Sequence, residues 1–195
     1  MSERNRSNDI ADDRMNCVVV LIDGGSLFRA ATQLSLEIDY EKLLPCLLRG
    51  RTLVRAIFYT GFSPGNLKQA SFLKWMRNNG YRVLQKELTV NSDGSRRANL
   101  GVEIAIDMLQ FARANDKIGV IILVSHNNDL SCVGEKISNQ GLQFELVSLK
   151  SLIQESLLNC ADRFIDLESI QNEIRKSSNV GYRVDPKVSP ELENT

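Results

Sequence analysis

The chain carries a single histidine, His126, and four cysteines, Cys17, Cys46, Cys132 and Cys160, none of them in a CxxC pair. That speaks against a zinc site, and the cysteines read as reduced, mostly buried thiols. No sign of charge prevails: 24 Lys and Arg balance 24 Asp and Glu. A strongly basic footprint is therefore missing, and any nucleic-acid contact has to come from a local patch. No apolar run approaches the roughly 18 residues of a membrane span. The N-terminal stretch MSERNRSNDIADDR has no signal-peptide core. These two absences give the expectation of a cytoplasmic protein with no membrane contact. There is no GxxxxGK[ST] phosphate loop, and Gly24-Gly25 does not make a GxGxxG fingerprint. P-loop NTP hydrolysis and a Rossmann dinucleotide site are therefore disfavoured.

What is present is ordinary globular composition, 43% hydrophobic and 25% charged over 195 residues, enough for one α/β domain with a full core. The chain is organised around CVVVLIDGGSLF, residues 17–28. Five consecutive aliphatic residues, Val18 to Ile22, predict a strand buried on both faces, as in a parallel sheet. Asp23 then stands at its carboxyl end, where open α/β sheets place ligands. It equally suits a helix N-cap, and Ser26 is a second capping candidate.

Strands are expected at 17–23, 52–60, 81–90, 118–125, 142–148 and 163–166. Helices are expected after Ser26, after Asp39, and at 66–79, 100–114, 129–140 and 151–158. Pro45 argues against the continuity of the second. GFSPG at 61–65 and NSDGSRR at 91–97 read as loop and turn; GFSPG is read as lacking a GxSxG nucleophile elbow, which speaks against an α/β-hydrolase. Residues 1–15 offer almost no apolar surface and are expected to be disordered. Residues 168–195 are expected to form a polar helix and a flexible tail. Alternating strand and helix predicts a three-layer α/β/α fold with a mostly parallel central sheet, its domain covering 16–167.

Acidic residues gather at the predicted carboxyl edge. Glu103 and Asp107, four apart on one helix, share a face, where like charges repel by a few tenths of a kcal/mol unless a cation lies between them. Two solvated helix acids is the plainer reading. Asp129, in VSHNNDL at 124–130, follows a second apolar strand as Asp23 follows the first; Asn127, Asn128 and Asp129 are also good caps. His126 is expected to orient that loop rather than bind metal. Asp162 and Asp166 read as surface or cap residues. Carboxylates converging without His or Cys select a hard cation, Mg²⁺ or Mn²⁺, suited to phosphodiester hydrolysis.

The set IDGGSLF (22–28), AIFYTG (56–61), LGVEIAIDML (100–109), LVSHNNDL (123–130) and ADRFIDL (161–167) resembles, in order and spacing, the NYN domain of the LabA-like (DUF88) branch, a family similar to PIN domains. The resemblance implies a PIN-like nuclease fold and a Mg²⁺- or Mn²⁺-dependent ribonuclease site. Asp23, Glu103, Asp107 and Asp129 match its acids, with Asn127 as a further oxygen ligand. Ser26, Ser125, Arg96 and Arg97 would be RNA contacts, with Lys86 and Arg113 as further phosphate candidates. This sequence departs from the pattern in three places. Ser26 replaces the asparagine of IDGxN, Leu100 replaces a lysine, and SHNNDL replaces SGDSDF, so that Asn127 stands for an acid. A lost charge-assisted contact weakens ion or transition-state binding by about 1.5–3 kcal/mol. Two functions follow: a metal-dependent ribonuclease, or a catalytically degenerate module that binds RNA or protein and regulates gene expression. A homodimer through edge strands or Trp75, or a regulatory protein partner, is a further expectation. Asp23→Asn is expected to abolish any metal-dependent activity with little loss of stability.

Overall fold

The computed structural model describes residues 16–90, 96–114 and 118–177. The expectations for 1–15, for the tail beyond 177 and for most of the 91–97 turn lie outside these residues. Strand β1 (Cys17–Asp23) leads into α1 (Gly24–Gln33) and α2 (Tyr40–Leu48), then β2 (Thr52–Phe62), α3 (Leu67–Asn78) and β3 (Tyr81–Glu87). Two short strands, β4 (Thr89–Val90) and β5 (Arg96–Arg97), pair antiparallel with each other. Then come α4 (Gly101–Arg113), β6 (Val120–Val124), α5 (Ser131–Ser138), β7 (Gln143–Ser148), α6 (Glu155–Asn159), β8 (Arg163–Asp166) and α7 (Leu167–Ile174).

Six strands form one sheet in the order β3-β2-β1-β6-β7-β8, every neighbouring pair parallel. The fold is therefore α/β, with helices on both faces of a parallel sheet. Alternation along β1 sorts the two cores. Val18, Val20 and Ile22 pack with Leu27, Leu43, Leu47, Met76 and Ile170 from α1, α2, α3 and α7. Val19 and Leu21 pack on the other face with Ile104, Met108, Ile137 and Leu157 from α4, α5 and α6. Val18 to Ile22 are all 0% exposed. At about 1.5–3 kcal/mol for each fully buried aliphatic side chain, this strand is a main source of cohesion. The strand order reverses between β1 and β6, so a crevice opens between their carboxyl ends.

Several elements differ from the sequence reading. The helix through Pro45 is intact, because Pro45 is exposed and solvent can satisfy the carbonyl it leaves unbonded. The strand expected over 81–90 breaks after Glu87, and Val90 and Thr89 pair instead with Arg96 and Arg97. The helix expected over 129–140 is a 3₁₀ turn at Asn128–Leu130 followed by α5. The one expected over 151–158 is likewise a 3₁₀ turn, Lys150–Leu152, and then α6. The C-terminal helix is not polar throughout: Leu167, Ile170 and Ile174 are buried on one stripe. Among the described residues, no helix is long and apolar enough to cross a membrane.

Candidate functional site

Asp23 ends β1 and caps α1, so one carboxylate does two jobs. Its Oδ1 accepts from the Gly25 and Ser26 amides at 3.1 and 3.3 Å. Its Oδ2 accepts from the Ser26 and Ser125 hydroxyls at 2.7 and 3.1 Å. The two hydroxyl oxygens lie 3.2 Å apart and in turn accept from the His126 and Asn127 amides at 3.3 and 3.0 Å. This circuit stitches β1, α1 and the loop after β6 together across the crevice. Gly24 makes the turn possible: a Cβ there would lie 2.8 Å from the Tyr59 carbonyl oxygen and from the Phe58 ring. Ser26 and Ser125 are buried, 7% and 1% exposed, which turns them toward the carboxylate rather than toward a ligand.

The other acids are placed differently. Tyr59 stands opposite Asp23 in the parallel register and is fully buried. Its hydroxyl donates to Asp107 Oδ2 at 2.6 Å. Burial, then this bond, raises the Tyr59 hydroxyl far above its ordinary pKa. Glu103, one turn earlier on α4, receives the Lys86 ammonium on Oε1 at 2.8 Å. Lys86 is also anchored on the Asn99 carbonyl at 3.0 Å. The Lys86–Glu103 hydrogen bond holds the Glu103 carboxyl below its ordinary range. Glu103 Oε2 and His126 Nδ1 are both buried with no hydrogen-bond partner among the described residues. Burial lowers the His126 pKa, against the opposing pull of Asp23. Asp129 is exposed and offers only its backbone, the amide bonding to Asn127 Oδ1 at 3.1 Å. The Asn127 amide nitrogen lies against the first turn of α4, where a Cβ on Gly101 would sit 2.8 Å from it.

The sequence reading brought four acids to one cation. The geometry instead gives each a separate partner: hydroxyls and amides for Asp23, an ammonium for Glu103, a phenol for Asp107 and solvent for Asp129. Among the described residues, no three His, Cys, Asp or Glu side chains are placed to hold one ion. The donor set, as arranged, does not fit Mg²⁺ or Mn²⁺, which need several free oxygen ligands around one centre. Arg96 and Arg97 form β5, and their side chains lie outside what the structure describes. Arg113 is exposed in the last turn of α4. Asp162 and Asp166 do bond backbone amides, of Phe144 and Glu168 respectively.

Two features escaped the sequence reading. Tyr59 and Lys86 hold the α4 acids, yet they come from β2 and β3, and only the strand register shows them. The stretch Gly61-Phe62-Ser63-Pro64-Gly65, read as a loop lacking a GxSxG nucleophile elbow, does have the G-x-S-x-G spacing of one, which corrects that reading. The structure does not build one. Three residues separate Ser63 from α3, and no histidine or carboxylate bonds the Ser63 hydroxyl among the described residues.

The family model of the NYN domain matches residues 17–168. The chain is 30% identical over 184 residues to the Low amplitude and bright protein LabA of Synechococcus elongatus, covering 90% of this chain and 95% of that one. The crystal structure of a protein of unknown function from Vibrio parahaemolyticus superposes with a TM-score of 0.69 at 22% identity, over 82% of this chain and 96% of its own. That likeness bears on fold alone. With the family match spanning the whole sheet and the site, the chain belongs to the NYN domain family, in its LabA-like branch.

Proposed function

We propose that this NYN domain binds RNA over the crevice between β1 and β6 and acts as a regulatory module without cutting it. NYN domains commonly bind RNA, and the family includes PIN-like ribonucleases that use divalent metals. One observation carries the non-cutting reading: the Asp23 carboxylate is saturated by four donors of its own chain. Asn127 in place of an acid and Lys86 on Glu103 support it, since each lowers the negative charge open to an ion. RNA would be met by local basic groups, Lys86 and Arg113 with the Arg96–Arg97 strand, in line with zero net charge overall.

A second reading, a metal-dependent ribonuclease, draws on two acidic groups at the same edge. Glu103 Oε2, though buried, has no partner among the described residues, and the exposed Asp129 carboxylate is bonded by no described residue. A labelled mixed-sequence RNA, incubated with Mn²⁺, Mg²⁺ or EDTA, separates the two. Binding that persists in EDTA, with no cleavage in any condition, supports the regulatory module. Cleavage that needs both metal and Asp23 would overturn it and establish the ribonuclease. Absence of RNA binding altogether would sink both.

A further inference from the structure

On the sheet face opposite α4, helices α1, α2 and α3, with residues 36–39 and Lys176, line an open cavity of about 610 Å³. Four aromatic side chains, Phe28, Tyr40, Phe72 and Trp75, contribute to its lining. The Tyr40 and Phe72 ring centroids are 5.2 Å apart, so these two form a tilted aromatic pair. Phe28 is 73% exposed although it sits in a helix anchored on the sheet. Leaving a phenyl ring in water forgoes stabilisation that burial would supply. The rim is acidic. Among the described lining residues, Glu37, Asp39 and Glu41 face one cation, Lys176. Lys176 is already bound to Glu37 at 2.7 Å, and Asp39 both caps α2 on the Glu41 amide and is bridged by Lys42 at 3.5 Å. The Glu41 carboxylate has no partner among the described residues and is exposed. None of these groups belongs to the Asp23 circuit.

Aromatic faces attract cations, and the one unpaired carboxylate at the rim, Glu41, strengthens that preference while repelling phosphates. The volume suits a ligand of a few side chains. We propose that this cavity docks a segment of a partner protein that carries an arginine or lysine beside apolar side chains. The apolar groups would fill the aromatic lining, and the cation would meet Glu41 at the rim. This site is separate from the RNA crevice, and its test does not depend on RNA binding.

Trp75 is the only tryptophan of the chain, so its emission reports on the cavity directly. The probe is the pentapeptide acetyl-Gly-Leu-Arg-Leu-Gly-amide, titrated into the full chain. Controls replace the arginine by neutral citrulline or by glutamate. The arginine peptide is expected to change Trp75 emission saturably. Citrulline, or the variant Glu41→Gln, should weaken binding about tenfold, within the range of a cation–aromatic and ion-pair contact. Phe28→Ser should weaken it as well, and its exposed position leaves the fold intact. Equal binding of the arginine and citrulline peptides would overturn the proposal, as would no response to any of them. Emission that varies with protein concentration alone would overturn it in favour of a second copy. A Trp75 already shielded from acrylamide and indifferent to the peptides would mean that the chain fills its own cavity, which also overturns it.

Discussion

Replacing Asp23 should cost stability, whatever it does to function. The carboxylate accepts two backbone amides at the start of α1 and two hydroxyls. Loss of the N-cap alone costs about 0.5–2 kcal/mol. Each hydroxyl bond to a charged acceptor contributes about 1.5–3 kcal/mol. These do not simply add, because Ser26 and Ser125 lie 3.2 Å apart and can bond one another once the carboxylate is gone. Asp23→Ala should therefore destabilise the domain by about 2–4 kcal/mol. Asp23→Asn keeps the oxygen that caps Gly25 and Ser26. Its new amide can donate to the two hydroxyls, each of which has a spare lone pair beside the bond it accepts from His126 or Asn127. It should cost about 0.5–1.5 kcal/mol. Urea unfolding followed by far-UV circular dichroism measures both, with equal m-values required for the comparison. If Asp23→Ala lies within about 0.5 kcal/mol of the natural chain, or if Asn costs as much as Ala, the circuit does not hold the crevice together and the reasoning fails. The expectation of little loss of stability, drawn from the sequence, is thus confined to the asparagine variant. Any activity loss in the alanine variant has to be read at matched stability.

Three further outcomes are expected. Arg51→Met should cost about 3–5 kcal/mol in thermal or urea unfolding, because it strips the bidentate partner from a fully buried Glu145. Among the described residues only Arg163, at 3.7 Å, remains beside that carboxylate, and a loss below about 1 kcal/mol would contradict the clamp by which Arg51, bonded to the Leu47 and Leu48 carbonyls of α2, holds β7. Gly24→Ala should lose about 1–3 kcal/mol, since the new methyl would meet the backbone oxygen of Tyr59, which cannot swing away; an unaffected melting temperature would refute the close approach. His126 is held neutral by burial, so its folded pKa lies below its unfolded one. The unfolded chain then binds the extra proton first, and the His126 contribution, complete above about pH 6.5, is lost as pH falls below that value. Comparing stability from pH 7.5 to 5 in the natural chain and in His126→Gln should show a steeper loss in the former, and identical slopes would exclude the mechanism.

The sheet was legible because its signal is local. Val18 to Ile22 can only be a strand buried on both faces, and the alternation with helices forces the crossovers that make the sheet parallel. The partners of the acids were not legible, because they depend on register. A shift between Val18 and Val19 in the pairing of β1 with β2 sets Tyr59 opposite Asp23, and so beneath Asp107. Lys86 reaches Glu103 from the carboxyl end of β3, seventeen residues away in the chain, a meeting that no local pattern shows. The break at residues 127–130 had a local cause that could have been read: Asn127 bonds the amide two residues on, which favours a turn over a continuous helix. The buried stripe of α7, at spacings of three and four, was also in view, masked by the polar residues between.

Asn127 is where the chain's chemistry and its architecture meet. Its side-chain oxygen caps the turn before α5, and its nitrogen rests on the first turn of α4. Neither place needs an amide. An aspartate could cap the same turn, and a negative charge at the start of α4 would be favoured by the helix dipole by about 0.3–1 kcal/mol. The reason for asparagine must therefore come from the acids around it. The Asn127 backbone is tied to the hydroxyl that Asp23 holds, so a carboxylate at 127 would add a second negative charge to the same crevice. Two carboxylates that share a crevice repel each other unless a cation lies between them. The variant Asn127→Asp is accordingly expected to melt lower than the natural chain in EDTA and to recover in millimolar Mn²⁺, whereas the natural chain melts alike in both. A variant indifferent to Mn²⁺, or a natural chain stabilised by it, would show that position 127 does not set the charge balance of the crevice. That result would return Lys86 and Asp129 to the centre of the question.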